Sequence, residues 1–167
     1  GEVPQLIQAA HYASPSYDFT CLEKLNTTPR QHVGGSFWHS FDHQRGYHPD
    51  PFYGGLMDVF RQPKYSYYMF MAQRPAVKND RNAGSGPMVY IAHEMTPFSG
   101  KDVTVYSNCD EVRLTFNKGG KTYTYKKDKN RPGMPSPVIT FPDVYDFMVD
   151  KAFSRTQKQD DVYLLAE

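Results

Sequence analysis

The chain has 167 residues, enough for one ordinary domain or two small ones and too few for a large enzyme. It has 19 Lys and Arg residues against 18 Asp and Glu, and this net charge of +1 gives no basic field for a dedicated nucleic-acid binder. No apolar run reaches the ~20 residues that span a bilayer, so no membrane partner is expected.

The chain begins with two predicted helical stretches. Apolar residues recur at helical spacing from Val3 to Ala10, which predicts a helix that ends near Ser14. A second short helix is predicted around Phe19 to Leu25. Neither stretch carries a motif that identifies a function.

A strand, a loop and a third helix are predicted next. The apolar and aromatic run 32–41 is typical of a buried strand, and the polar segment 42–57 is typical of a loop at its end. Pro63 predicts the first position of an aromatic helix that continues through Gln73. Helix, strand and helix in this order indicate an α/β unit.

The period of the apolar residues changes to two beyond the polar, glycine-rich stretch 76–87, which we predict to be a linker. Asn117 and the two following glycines, Gly119 and Gly120, predict a tight hairpin. Six short strands are predicted, around 89–91, 103–107, 112–116, 122–125, 138–141 and 162–165. This spacing favours an antiparallel, immunoglobulin-like β-sandwich.

The segment 34–48 concentrates the side chains that could carry chemistry, including the single tryptophan. Ligands meet the ends of strands in α/β barrels, and an indole ring stacks on the apolar face of a pyranose while polar groups bind its hydroxyls. The predicted sugar-binding residues are Trp38, His39, Asp42, His43 and Arg45. Packing of the tryptophan in the core is an equally good interpretation of the spacing.

A metal site is the weaker alternative for the same segment, because neighbouring residues on a strand point to opposite faces and no HExxH motif is present. Its ligands would be His39, His43, His48, Asp42 and Asp50. We therefore expect neither a metal nor a cofactor. Nucleophilic catalysis is not indicated, since Cys21 has no basic neighbour and no GxSxG motif occurs.

Two runs of the chain resemble glycoside hydrolase family 2, the β-galactosidase type. GGSFWHSFDHQRGYHPDPFYGGLMDVFRQPKYSYYMFMAQ is similar to the end of the catalytic (β/α)8 barrel, and MVYIAHEMTPFSGKDVTVYSNCDEVRLTFNKGG is similar to the immunoglobulin-like module that follows it. The resemblance implies an α/β plus all-β chain. Its parts would be the terminal βα portion of a TIM barrel at 1–75, a linker at 76–87 and a truncated immunoglobulin-like β-sandwich at 88–167.

The resemblance also implies roles for single residues. Family 2 enzymes retain configuration with two Glu side chains whose carboxyl groups lie ~5 Å apart, and both are expected upstream of Gly1. Trp38 matches the tryptophan that shapes the sugar subsite, and Asp42 and Arg45 match polar positions after it. His39 stands where a related branch carries an acidic residue.

The implied partners are a galactoside-like carbohydrate and the remainder of the parent enzyme. The resemblance places no catalytic residue in this chain, which is therefore expected to be inactive alone. The alternative is a non-catalytic β-sandwich module that binds carbohydrate or protein, with the N-terminal half as its platform.

Overall fold

The computed structural model describes residues 1–14, 39–81, 84–129, 133–156 and 158–167. The predicted helix around Phe19 to Leu25 and most of the predicted strand 32–41 lie outside these ranges. The elements in chain order are α1 (Glu2–Ala13), α2 (Tyr65–Met71), β1 (Val89–Ala92), β2 (Val103–Ser107), β3 (Glu111–Phe116), β4 (Thr122–Lys126), β5 (Ile139–Phe141), α3 (Phe147–Thr156), a short 3₁₀ helix (Gln159–Asp161) and β6 (Leu164–Ala166).

The six strands of the described chain form two antiparallel sheets, in the orders β1-β2-β5 and β4-β3-β6. Alternate residues of β2 and β3 enter one apolar cluster shared by both sheets, because successive side chains of a strand point to opposite faces. The fully buried members are Val103, Val105, Val112 and Leu114. The two sheets and their common core are consistent with a β-sandwich, and all six predicted strands are confirmed.

The predicted hairpin between β3 and β4 is also confirmed. Asn117 has φ +58° and Gly119 has φ +74°, and the amide of Gly120 donates to the Asn117 carbonyl at 3.0 Å. The buried Asn117 side chain accepts a hydrogen bond from the Tyr163 amide at 3.0 Å. The turn is therefore held to the segment that leads into β6.

Two helical features differ from the prediction. Helix α2 begins at Tyr65 rather than at Pro63, because Pro63 forms an isolated bridge with Met57 and Lys64 is extended. Helix α3 was not predicted, although Asp146 is a suitable N-terminal cap. The Asp146 carboxylate accepts from the amides of Met148 and Val149 at 2.9 and 3.2 Å.

Helices α1 and α2 cover the second face of the β1-β2-β5 sheet. The ring of Tyr68 in α2 stacks on that of Tyr90 in β1, with centroids 3.6 Å apart. A second apolar cluster contains Ala9 and Ala13 of α1, Tyr65 and Met69 of α2, Ala92 of β1 and Tyr106 of β2. The helices and the sheet thus share one core.

Polar side chains also join the helical part to the strands. Glu2 accepts from the Glu94 amide at 2.8 Å and from the Ser99 hydroxyl at 2.6 Å. The buried Asn108 amide donates to the carbonyls of Arg74 and Gly86 at 3.0 and 2.9 Å. The division of the chain at 76–87 stays a prediction, and these contacts cross it.

Within the described ranges, no helix is both long and apolar enough to cross a membrane.

The stretch 79–86 is expected to be the first site of limited proteolysis. Residues 77–81 and Gly84 are exposed, and exposed polar backbone with few contacts is cut most readily. The bonds between Asn79 and Ser85 are local, and Asn108 holds the stretch only at its end, through the Gly86 carbonyl. Mass spectrometry of early fragments checks this, and a first cut between Val103 and Phe116 would contradict the sandwich.

Candidate functional site

The loop that precedes α2 carries the described members of the predicted site. Three isolated bridges fold it back on itself, joining Phe41 to Met57, His43 to Phe52, and Met57 to Pro63. His43 and Phe52 exchange both backbone hydrogen bonds, at 3.1 and 2.9 Å. The backbone is extended at 41–43, so successive side chains point to opposite sides of the segment. The side chain at position 42 therefore points away from those of the bridged residues Phe41 and His43.

Asp42 is this intervening residue, and it is held in an ion pair. Both of its carboxylate oxygens lie 2.7 Å from Lys64 Nζ, and Oδ1 also accepts from the Gly55 amide at 3.0 Å. The two side chains are 7% and 13% exposed. Asp42 thus connects the strand-like segment, the middle of the loop and the start of α2.

The three successive carbonyls of Tyr53, Gly54 and Gly55, here called the clamped turn, all accept hydrogen bonds from side chains. Lys64 Nζ donates to the Tyr53 carbonyl at 2.9 Å, and Gln8 Nε2 donates to those of Tyr53 and Gly55 at 3.3 and 3.1 Å. The Tyr12 hydroxyl donates to the Gly54 carbonyl at 3.1 Å. Helix α1 and Lys64 together fix the turn.

Side chains around the clamped turn are themselves oriented. The Ser66 hydroxyl donates to Gln8 Oε1 at 2.7 Å, which directs the Gln8 amide nitrogen to the turn. Burial raises the pKa of Tyr12, and the charge of Asp42 raises it further, so the hydroxyl remains a donor. A Cβ at Gly55 would overlap the backbone of Phe41 and Asp42, which explains the glycine.

His39, His43 and Phe52 form an aromatic group on the other side of the loop. The two imidazole centroids are 4.2 Å apart, and they lie 5.1 and 5.3 Å from the Phe52 ring. Desolvation lowers the pKa of His39, and the neighbouring His43 lowers it further. His39 is therefore neutral at pH 7, with one nitrogen able to donate and one able to accept.

Arg45 lies in a separate turn of the same loop. Its Nε donates to the Asp50 carbonyl at 3.1 Å, and Nη2 lies 3.2 Å from His48 Nδ1. The Asp50 amide donates to the same His48 nitrogen at 3.1 Å. Arg45 therefore closes the turn.

The predicted sugar-binding residues thus occupy three places. His39 and His43 lie together, Asp42 lies on the opposite side, and Arg45 is in the separate turn, while Trp38 lies outside the described residues. The residues of the metal alternative are divided in the same way. Among the described residues, no group of three or more His, Cys, Asp or Glu side chains could hold a metal ion.

An open groove of about 730 Å³ runs between α1 and the loop, on the Asp42 side. Residues that line it include Gln8, His11, Tyr12, Tyr53, Asp58 and Gln62. None of these was predicted as a site residue. The one available signal was the aromatic residue before two glycines, Tyr53-Gly54-Gly55, a pattern that suggests an aromatic side chain presented on a turn.

Comparison with known proteins finds one similar to this chain in part of its length. No family model matches the chain. It is 29% identical over 154 residues to a protein named beta-galactosidase from Thermoanaerobacter pseudethanolicus, strain ATCC 33223 / 39E. The match covers 78% of this chain and 19% of that protein. The chain is similar to part of a glycoside hydrolase.

Proposed function

We propose that this chain is part of a retaining glycoside hydrolase that acts on β-galactosides or related sugars, and that it forms one wall of the sugar subsite. The observation that carries the proposal is the 29% identity to a β-galactosidase over 78% of the chain. Because the chain spans only 19% of that protein, the remainder of a larger enzyme would be its partner.

Within this proposal, residues 1–75 are the terminal βα portion of a family 2 barrel, 76–87 are a linker, and 88–167 are an immunoglobulin-like module. The two helices α1 and α2, which lie on either side of the predicted strand 32–41 in the chain, support the first assignment. The two antiparallel sheets with their common core support the last. The two catalytic Glu residues would belong to the part of the enzyme before Gly1.

Trp38 would supply the stacking face of the subsite, and the neighbouring His39 and His43 would bind sugar hydroxyls. The neutral imidazole of His39, whose pKa is lowered, suits this role because a hydroxyl both donates and accepts. Asp42 would act as a positioning residue, since both of its oxygens contact Lys64. Arg45 would hold the shape of the loop through its bonds to His48 and the Asp50 carbonyl.

A non-catalytic sandwich module that binds carbohydrate or protein is the second candidate. It is favoured by the core that α1 and α2 share with the β1-β2-β5 sheet, because that packing makes the helices a platform for the sandwich. Such a module would bind its ligand without depending on Trp38.

Replacing Trp38 with alanine is expected to weaken binding of phenyl β-D-galactoside to the chain by roughly 1–3 kcal/mol, the range for losing an aromatic anchor. Isothermal titration calorimetry measures this. The control is Phe60→Ala, which removes a side chain that is 82% exposed in another part of the loop. Equal affinities for wild type and Trp38→Ala, with unchanged unfolding, would show that Trp38 only packs the core.

A further inference from the structure

We propose that the groove beside the clamped turn is a second sugar-binding subsite, in which the Tyr53 ring stacks on a further hexose of an oligosaccharide. The inference rests on the proposed function and extends it from a single sugar to a short chain of sugars. It assigns a role to side chains that the first subsite does not use.

Tyr53 combines an exposed ring with a fixed backbone. Tyr53 is 65% exposed and is one of the residues that line the groove. Its carbonyl accepts from both Lys64 and Gln8, and the next two carbonyls are bonded to Gln8 and Tyr12. Because the backbone is already fixed, a ligand that covers the ring has to order only its two side-chain torsions, so more of the stacking energy contributes to affinity.

The groove beside this ring is lined by groups that suit sugar hydroxyls. Gln62 offers an amide with both donors and an acceptor, and Asp58 offers a carboxylate. Asp58 Oδ1 accepts from the amides of Phe60 and Gln62, both at 2.8 Å, which fixes the carboxylate. Among the described residues, no side chain or amide donates to its second oxygen. A pyranose has an apolar C–H face and polar hydroxyl groups. An aromatic ring beside polar side chains can contact both.

The size and charge of the groove favour this ligand class over others. Its volume of about 730 Å³ lies within the roughly 300–1,000 Å³ usual for small-molecule sites. A wholly apolar ligand would desolvate Gln62 and Asp58 without replacing their hydrogen bonds. Lys64 compensates the charge of Asp42, and the Asp58 carboxylate disfavours an anionic ligand, so a neutral polyhydroxylated chain fits best.

The groove and the first subsite lie on opposite sides of the loop, and Phe52 connects them. Phe52 contacts the rings of His39 and His43, and Tyr53 is the following residue. A Cβ at Gly54 would overlap the Phe52 ring, so that ring packs directly on the clamped turn. A sugar chain bound at the histidines would have to pass around one edge of the loop to reach Tyr53.

The test titrates the full chain with β-1,4-linked galacto-oligosaccharides and gluco-oligosaccharides, from the monosaccharide to the tetrasaccharide, using calorimetry. We expect wild-type affinity in one series to rise with length. Tyr53→Ala should remove this rise, weakening binding of the longest sugar about tenfold, while monosaccharide affinity stays unchanged. Tyr53→Phe keeps the ring and should bind like wild type.

Tyr47→Ala is the matched control, because Tyr47 is 86% exposed in the same loop and does not line the groove. Equal affinities of wild type and Tyr53→Ala at every length would overturn the inference, as would an equal loss in Tyr47→Ala or no binding of any sugar. Self-association that Tyr53→Ala abolishes, without an effect on sugars, would instead make the groove a protein interface.

The first subsite is tested separately by Trp38→Ala. If monosaccharide affinity does not depend on Trp38, the first subsite, proposed around Trp38, is wrong. A length-dependent gain that Tyr53→Ala removes would still support the groove. The two proposals can therefore fail independently.

Discussion

Replacing Asp42 with alanine is expected to lower the free energy of unfolding by about 3–5 kcal/mol, as for removal of one partner from a buried ion pair. The substitution leaves the Lys64 ammonium, whose side chain is 13% exposed, without its carboxylate. It also removes the acceptor of the Gly55 amide. Urea denaturation followed by circular dichroism measures the change.

A second variant separates the charge from the loss of packing. Asp42→Ala combined with Lys64→Met removes both charges, so the double variant should be more stable than Asp42→Ala alone. The control is Lys129→Ala at the exposed Lys129–Asp110 pair, where the two side chains are 71% and 67% exposed. That change should cost about 1 kcal/mol or less, and a similarly small cost at Asp42 would contradict the prediction.

Replacing Met69 with alanine is expected to lower the free energy of unfolding by about 2–5 kcal/mol, because the lost side chain leaves a cavity. Met69 is fully buried in the cluster that joins α1 and α2 to β1 and β2. Since the helices and the sheet share this core, hydrogen exchange should accelerate in β2 as well as in α2. Hydrogen-exchange mass spectrometry measures both elements in one experiment.

Met148→Ala is the matched control, because Met148 is 73% exposed on α3 and its replacement should change stability by no more than about 0.5 kcal/mol. Faster exchange in α2 with wild-type protection in β2 would mean that the helical part and the sheet unfold independently. That result would favour the predicted division at 76–87 as a true domain boundary.

The position of the candidate loop was predictable from residue types, but the partners of its side chains were not. Asp42 and Lys64 are 22 positions apart, and Gln8 lies 47 positions from Gly55, whose carbonyl it binds. Hydrogen bonds of this kind depend on how α1 and the loop pack together, which no local pattern records. The residue pattern therefore predicts Asp42 as a ligand-binding residue, but it does not indicate that Lys64 contacts both carboxylate oxygens.

The sequence alone determined the six strands and the β3–β4 hairpin, because alternation of buried and exposed residues and the backbone freedom of glycine are local properties. It determined α1 for the same reason, through its helical spacing. Only the tertiary structure decided that α2 begins at Tyr65, since Pro63 pairs with Met57 in the folded loop instead of opening the helix. Tertiary packing also made the clamped turn and its groove, because their geometry comes from contacts between segments far apart in the chain.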